Sequence, residues 1–502
     1  MPPADGDGGG DGGRLPPRLQ VAVAASSVGI GATVSVLFPT AYFLVARSDV
    51  GRTADHAHLG ALTGLLVAAF PLGASLGSVP WGRLSDRIGR VRVTFLTLTG
   101  IAVSELLLGF LTHSYAWMLA MRLLSGISNG TAVSLKTLLG ELCDDSTQGG
   151  AFALLSIGWG FGNVIGPAIG GVLGDPCNAP WWPEDRGCPA LLEHYPFCIP
   201  FVLIAIVLAT SAVMCASFLP ETCPAVVGSV GQAAAAAAAD VERMRRKIAE
   251  PVVVDVDNDD DDCALEDVAL LSGSSNRPDA SRPATRPDAA CWSAIATYAS
   301  CGFVAVLANE LSPLFAASPR DDGGLAYTST DIGAIAAACG VVILVYTATS
   351  FHRLERRYGA RQLFMHAIVI VGLTTALTPI VSLLPTFPAQ MTYLSVVFAL
   401  RACAGPTAVT ASSMLVTNAA PPGAAGHVNG IAQAIISCCR GLGPALGGAM
   451  WSAAVAMAKW LPLHQMLPFA VATALTCVPW TLASRLPDRL NKSRSSMGGT
   501  TP

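Results

Sequence analysis

Apolar residues run along this chain in long blocks separated by short polar turns. Twelve blocks stand out, at residues 20–45, 60–81, 93–112, 115–139, 150–174, 197–219, 292–316, 329–350, 362–384, 390–417, 426–456 and 465–484. Each reaches about the ~20 residues a helix needs to cross a bilayer. Backbone polar groups have no water to bond to in lipid, so such blocks span as helices. The sixth and seventh blocks are separated by a long polar stretch, 221–290. It holds an alanine run (Ala233 to Ala239), a basic cluster (Arg243, Arg245, Arg246, Lys247) and an acidic run (Asp255 to Asp262), then Pro and Ser. This composition predicts a disordered cytoplasmic linker with one candidate helix over 232–249. The acidic run lacks EF-hand spacing and reads as solvated chain rather than a cation site.

Composition agrees. Of 502 residues, 52% are hydrophobic and 13% charged, against about 25% charged in soluble domains; mean hydropathy is +0.53. The pattern predicts an all-α membrane protein of twelve transmembrane helices in two pseudo-symmetric six-helix bundles. The bundles occupy 19–220 and 291–486, with a disordered tail at 1–18 and another tail at 487–502. Net charge is −4, which suggests no nucleic-acid partner. Residues 1–13 are rich in Gly and Asp without a basic segment, so they read as a tail and not a signal peptide. Most of the 14 cysteines fall inside apolar blocks, where Cys acts as a small hydrophobe. Cys177 and Cys188 share a loop expected outside, where a disulfide can form.

The second turn, Gly82-Arg83-Leu84-Ser85-Asp86-Arg87-Ile88-Gly89-Arg90-Val91-Arg92, carries four arginines between two blocks that contain no basic residue. The eighth turn has Arg353, Arg356, Arg357 and Arg361, and the tail has Arg485, Arg489, Lys492 and Arg494. The opposite turns are poorer in basic residues. The positive-inside rule therefore puts these regions and both termini in the cytoplasm.

The halves echo each other. Leu84, Arg87 and Gly89 recur as Leu354, Arg357 and Gly359, an offset of 270. Arg122-x-x-x-Gly126 recurs as Arg401-x-x-x-Gly405, offset 279, and Gly166-Pro-x-x-Gly-Gly171 as Gly443-Pro-x-x-Gly-Gly448, offset 277. Pro39 matches Pro313, offset 274. Four echoes in order at nearly one offset indicate a duplicated six-helix unit. Two parallel six-helix repeats are a transporter plan, with the substrate site between them near mid-membrane.

These motifs carry a family resemblance. Gly82-x-Leu84-x-Asp86-Arg87-x-Gly89-Arg90 resembles the loop between helices 2 and 3 of the major facilitator superfamily. Arg122-x-x-x-Gly126 resembles its helix-4 motif, and Gly162-x-x-x-Gly166-Pro167-x-x-Gly170-Gly171 the helix-5 motif of its antiporters. Phe218-Leu-Pro-Glu221-Thr222 is similar to the usual end of helix 6. Ile157 to Gly171, Lys136 and the segment Leu314 to Asp331 are similar to the plant and fungal zinc-induced-facilitator branch. That branch is drug:proton-antiporter-like, and its plant members are linked to zinc-chelator and organic-anion traffic. It often carries a Cys-Pro-Gly-Cys element near its N terminus, and this chain has none.

Each motif has a physical reading. In the second turn, Gly82 and Gly89 allow a tight turn. Asp86 can pair with a basic residue or cap the start of a neighbouring helix, and Arg87 and Arg90 complete the candidate latch. Such a pair would latch the cytoplasmic side and break on switching; the alternative is that the arginines only anchor the loop. The second half has Arg356 at the matching position, which predicts a degenerate latch. Gly162, Gly166, Gly170 and Gly171 in helix 5, and Gly443, Gly447 and Gly448 in helix 11, permit close helix packing. Pro167 and Pro444 bend those helices, and the antiporter resemblance implies that the bend seals a leak.

Charge inside the spans points to chemistry, because it must face protein or water. Arg122, Asn129 and Lys136 fall seven apart and predict one polar stripe on helix 4. Gln433 and Arg440 repeat that spacing on helix 11, and Arg401 lies in helix 10. Arg122, Lys136, Arg401 and Arg440 would give a central cavity positive potential suited to anionic or zwitterionic substrates. Glu105 and Glu310 are candidate proton carriers, because burial disfavours the charged carboxylate. Some of these charges, Lys136 and Arg401 above all, could instead snorkel from helix ends. Helix 1 offers Thr33 and Ser35 where many drug:proton antiporters have an acid.

The eight histidines show no metal-ligand spacing apart from His56-x-His58, which reads as a solvated loop. Trp81, Trp117, Trp181, Trp182 and Trp460 lie near span ends and read as interfacial anchors. No nucleotide-binding or hydrolase motif occurs, so neither cofactor nor enzymatic activity is expected. The expectation is a monomeric carrier in the bilayer, moving a small solute by alternating access with proton-coupled antiport. An uncoupled uniporter and a non-transporting sensor that recruits a partner through 221–290 are the alternatives. The sequence leaves plasma membrane and endomembrane open.

Overall fold

A computed structural model of the chain describes residues 16–142, 145–179, 181–183, 187–223, 288–421, 425–458 and 460–491. The expected linker from 224 to 287, with its alanine, basic and acidic runs, lies outside the described residues. So do the tails before 16 and after 491.

The described residues are helical almost throughout and contain no strand. The first span is Pro17–Ser35 and Leu37–Arg47, bent by 45°. The second is His56–Ile88, the third Arg90–Phe110, and the fourth Tyr115–Ile127 and Thr131–Leu142. The fifth lies within Asp145–Leu173 and the sixth is Cys198–Phe218. In the second half come Ala289–Ala317, then Ser329–Tyr346 with a π-helical turn at Thr347–Phe351. His352–Leu377 runs from the end of the eighth span through a kink at Gly359 into the ninth. Phe387–Ala419, Ala425–Ala456, and the pair Met466–Leu475 and Cys477–Ser484 complete the set. Among the described residues, eight helices are long and apolar enough to cross a membrane alone, and nine when the bent first pair counts as one.

The breaks have local causes. Pro39 lacks an N–H and its ring crowds the carbonyl of Ser35, so the first span bends at Val36. The fourth span breaks at Ser128–Gly130 because the second span intrudes. Trp81 donates from its indole N–H to the carbonyl of Ile127 at 2.6 Å. A Cβ on Gly130 would lie 2.5 Å from the Trp81 ring. Trp81 is thus a packing residue rather than a free interfacial anchor.

Each half has its own core. In the first, Leu66, Leu98, Ile101 and Phe201 are sealed in one cluster. In the second, Phe315 packs edge-on against both Trp451 and Phe469, and the Trp451 indole donates to Ser318.

The halves meet mainly through two helix pairs, the second span with the eleventh and the fifth with the eighth, and less extensively where Leu37–Arg47 touches the seventh and eighth spans. Contact is so close that glycine is required. A Cβ on Gly64 would sit 2.2 Å from the Pro444 carbonyl, and one on Gly171 2.3 Å from the Gly333 Cα. These approaches lie toward the end of the molecule where Cys177 and Cys188 are disulfide-bonded, with Cα atoms 5.6 Å apart. That end is called the disulfide end below. The opposite end carries the arginine-rich turns and is called the basic end.

Candidate functional site

Arg122 and Glu105 face each other inside the first half. Arg122 Nη1 donates to Glu105 Oε1 at 2.9 Å and to the Thr33 carbonyl at 3.2 Å. Ser125 adds a hydroxyl donor to the same Glu105 oxygen at 2.8 Å, and the guanidinium lies 5.0 Å from the Phe70 ring centroid. Arg122 is 1% exposed and Glu105 0%. Both were expected at a central cavity; instead they neutralise each other among the first four spans.

The expected stripe of Arg122, Asn129 and Lys136 is also absent. A spacing of seven aligns side chains only on an unbroken helix, and the break at 128–130 interrupts this one. Arg122 is sealed and Lys136 is exposed. Asn129 sits at the break, its Oδ1 buried with no hydrogen-bond partner among the described residues.

A second set of polar groups lies between or beside the halves. Lys136 of the fourth span and Arg440 of the eleventh are close enough to repel. Gln433 is exposed and accepts from the Tyr298 hydroxyl at 3.4 Å. A Lys and a Gln exposed within spans belong in water, not lipid. Glu310 is 2% exposed and makes no hydrogen bond or ion pair among the described residues. It lies against Gly447, whose Cβ would stand 3.5 Å from its Cγ. Arg401, mid-way along the tenth span, is 7% exposed. Its guanidinium lies 4.6 Å from the Phe398 ring centroid, and its buried Nη1 has no hydrogen-bond partner among the described residues.

The basic end holds a cluster centred on Arg90. Arg90 Nη2 meets Asp86 at 3.0 Å and Glu141 at 2.9 Å, and its Nη1 donates to the Ser85 carbonyl at 3.1 Å. Thr222 donates to the other Glu141 oxygen. Asp86 therefore pairs with Arg90, and all these partners belong to the first half; Arg87 is exposed. The cap on the third span comes from Glu221. Its carboxylate accepts from the N–H groups of Arg90 and Val91 at 2.8 and 3.1 Å. Gly89, at φ 106°, turns the chain there, and Gly82 faces Val133 of the fourth span.

The second half keeps the turn and the cap of this plan, with exposed Arg356 in place of the acid. Gly359 has φ 74°, and Asn491 Oδ1 accepts from the Arg361 N–H at 2.9 Å. Arg361 also donates to the Ala483 carbonyl and pairs with Asp488. Asn491 stands 270 residues after Glu221, the offset that relates Gly89 to Gly359. Glu141, Glu221 and Asn491 escaped the sequence reading as members of these clusters; the shared offset was the available signal.

The motif glycines divide by partner. Gly162, Gly166 and Gly170 lie against the first span, Gly443 and Gly447 against the seventh, and Gly171 and Gly448 against the opposite half. Pro167 and Pro444 lie within continuous helices. His56 Nδ1 stands 3.5 Å from Asp322 and joins the halves at the disulfide end. Among the described residues, no three His, Cys, Asp or Glu side chains converge on a common metal position.

A family model described as Major Facilitator Superfamily matches residues 21–448. The Arabidopsis thaliana protein named zinc induced facilitator-like 1 is 27% identical over 451 residues, covering 88% of this chain and 86% of that protein. A major facilitator superfamily multidrug transporter of Aspergillus fumigatus is 25% identical, covering 89% and 79%. Among solved structures, a D-xylose–proton symporter superposes with a TM-score of 0.65 at 13% identity, covering 95% of this chain and 99% of that one.

Proposed function

Because the chain belongs to the Major Facilitator Superfamily, we propose that it is a proton-coupled antiporter that moves a small organic solute by alternating access, with both termini in the cytoplasm. The chain is an integral multi-pass membrane transporter and not an enzyme. The finer reading rests on one observation: the halves close on each other at the disulfide end, while polar residues of the spans stay exposed between them. Gly64 meets Pro444 and Gly171 meets Gly333, and Lys136 and Gln433 remain open. This arrangement is one of the two states that rocking about a central site requires. A disulfide belongs on an oxidising face, and four arginines in one short turn belong on the cytoplasmic face; the two sit at opposite ends. The working unit is a monomer, since each half has its own core and the cleft lies between them.

Glu310 supplies the coupling. It is buried, unpaired and beside the eleventh span, which carries the closing contact. Protonation removes its charge, so its protonation state biases the closed arrangement. Lys136, Arg440, Gln433 and Arg401 provide the remaining polar lining. The solute comes from the organic compounds that such carriers handle: anions, zwitterions, metal chelators or drugs.

The test reads the two states without needing the substrate. Spin labels follow Thr53→Cys and Asp321→Cys, on opposite halves at the disulfide end, with exposed Cys438 and Cys477 replaced by Ser. Alternating access predicts two separations whose populations move with pH, and Glu310→Gln should abolish that pH response. Two separations that ignore pH would indicate an uncoupled uniporter. A single separation would sink the carrier mechanism.

A further inference from the structure

The repeat makes Arg401 the counterpart of Arg122, at an offset of 279. The surroundings of the two arginines differ. Arg122 has Glu105 and Ser125. The third and ninth spans are related by 270, fixed by the two positive-φ glycines Gly89 and Gly359 and their caps. That offset puts Thr375 where the first half has Glu105, and 279 puts Ala404 where it has Ser125. Thr375 is buried and donates its hydroxyl to its own helix, at the Val371 carbonyl, 2.7 Å away. Arg401 therefore lacks the carboxylate its twin possesses.

A guanidinium does not lose its proton in a protein, and an unpaired buried charge opposes folding. Among the described residues, Arg401 has the Phe398 ring beneath it and Cys339 within electrostatic reach, and no carboxylate beside it; Val397 and Ala404 on the same helix are buried and apolar. From this vacancy we infer that Arg401 is the recognition residue for a substrate carboxylate carried on an apolar, preferably aromatic, body. The inference rests on the transport reading above and narrows it. The carboxylate of the solute takes two parallel N–H donors from the planar fork. In doing so it fills the position in the second half that Glu105 fills in the first. Arg122 is excluded from this role by its own partner.

The test uses the full-length purified chain and thermal unfolding, with benzoate as the probe. Benzamide is its neutral counterpart and inorganic phosphate a different anion. Benzoate should raise the wild-type melting temperature saturably, and benzamide and phosphate should not. Arg401→Met should melt higher than wild type without ligand, because an uncompensated charge has gone, and should ignore benzoate. Arg401→Lys should keep the fold and respond with at least tenfold weaker apparent affinity, since an ammonium lacks the fork. A benzoate shift that survives Arg401→Met overturns the assignment, as does a wild type that shows no benzoate shift. An equal phosphate response overturns the carboxylate class. Any of these failures leaves the pH-dependent separations of the spin-labelled protein untouched, so the two readings fail independently.

Discussion

The two halves share a fold and a repeat but treat buried charge in opposite ways. In the first, Arg122 meets Glu105, Arg90 meets Asp86 and Glu141, and Glu221 caps the third span. In the second, Arg401 and Glu310 are buried without ionic partners among the described residues, and a neutral Asn491 provides the cap. Duplication supplied two similar scaffolds. One now sets its buried charges against each other, although Glu105 Oε2 and Arg122 Nε find no hydrogen-bond partner among the described residues, and the other leaves a buried acid and a buried guanidinium without an opposite charge.

Removing the pairing partner in the first half gives the largest expected effect. Arg122→Met leaves the Glu105 carboxylate, at 0% exposure, without its counter-charge. Breaking a buried pair costs about 3–5 kcal/mol, so the variant should unfold far below wild type. Arg122→Met with Glu105→Leu should recover most of that loss, because a buried pair can be replaced by apolar side chains of similar volume. The opposite sign is expected at Arg401, where Met relieves a charge. Thermal unfolding of the variants measures both. A destabilised Arg401→Met together with an unchanged Arg122→Met would reverse the comparison.

The comparison was only half legible in the sequence. Apolar blocks and short turns gave the spans, and four offsets gave the repeat, because both are properties of residues near one another in the chain or related by duplication. Pro39 entered only as an echo of Pro313, and its bend was not read. Pairing was not legible. Glu105 and Arg122 are on different spans, and nothing in either span names the other. The stripe on helix 4 failed because Trp81, from another helix, set the break at Ser128–Gly130. Glu221 was visible as the end of helix 6, but its use as a cap for the third span depends on where two helices end in space. The charges inside the spans were thus visible as residues, while their surroundings were not, wherever a long-range neighbour decided them.

The caps sharpen the comparison at smaller scale. Glu221 accepts from four backbone N–H groups: Arg90, Val91, Thr222 and Cys223, at 2.8, 3.1, 3.1 and 3.0 Å. Asn491 accepts from Arg361 and donates to the Tyr358 carbonyl. Glu221→Ala should cost about 2 kcal/mol, the upper range for a lost cap, and Asn491→Ala about 1 kcal/mol. The carboxylate also meets the positive end of the third span, an interaction that salt weakens. Denaturant unfolding at low and high salt should show the gap between the variants narrowing as salt rises. Equal losses with no salt dependence would mean the charge of Glu221 adds nothing to its hydrogen bonds.

The smallest effect is expected at the most recognisable residue of the basic turn. Asp86 pairs with Arg90, but its side chain is 69% exposed, and exposed pairs contribute about 0–1 kcal/mol. Arg90 keeps Glu141 and the Ser85 carbonyl when Asp86 is neutralised. Asp86→Asn should therefore change stability by less than about 1 kcal/mol at low salt, with the difference vanishing at high salt. The second half argues the same way: exposed Arg356 occupies the matching position, yet the turn at Gly359 keeps its positive φ and its cap. The turn is held by the glycine and the cap, and the proposed cycle gives Asp86 its role in a contact of the other state. Spin-label populations at positions 53 and 321 check that division: Asp86→Asn should move the balance between states while leaving the melting temperature nearly fixed. A variant that lost stability as Glu221→Ala does, with unmoved populations, would make Asp86 part of the scaffold.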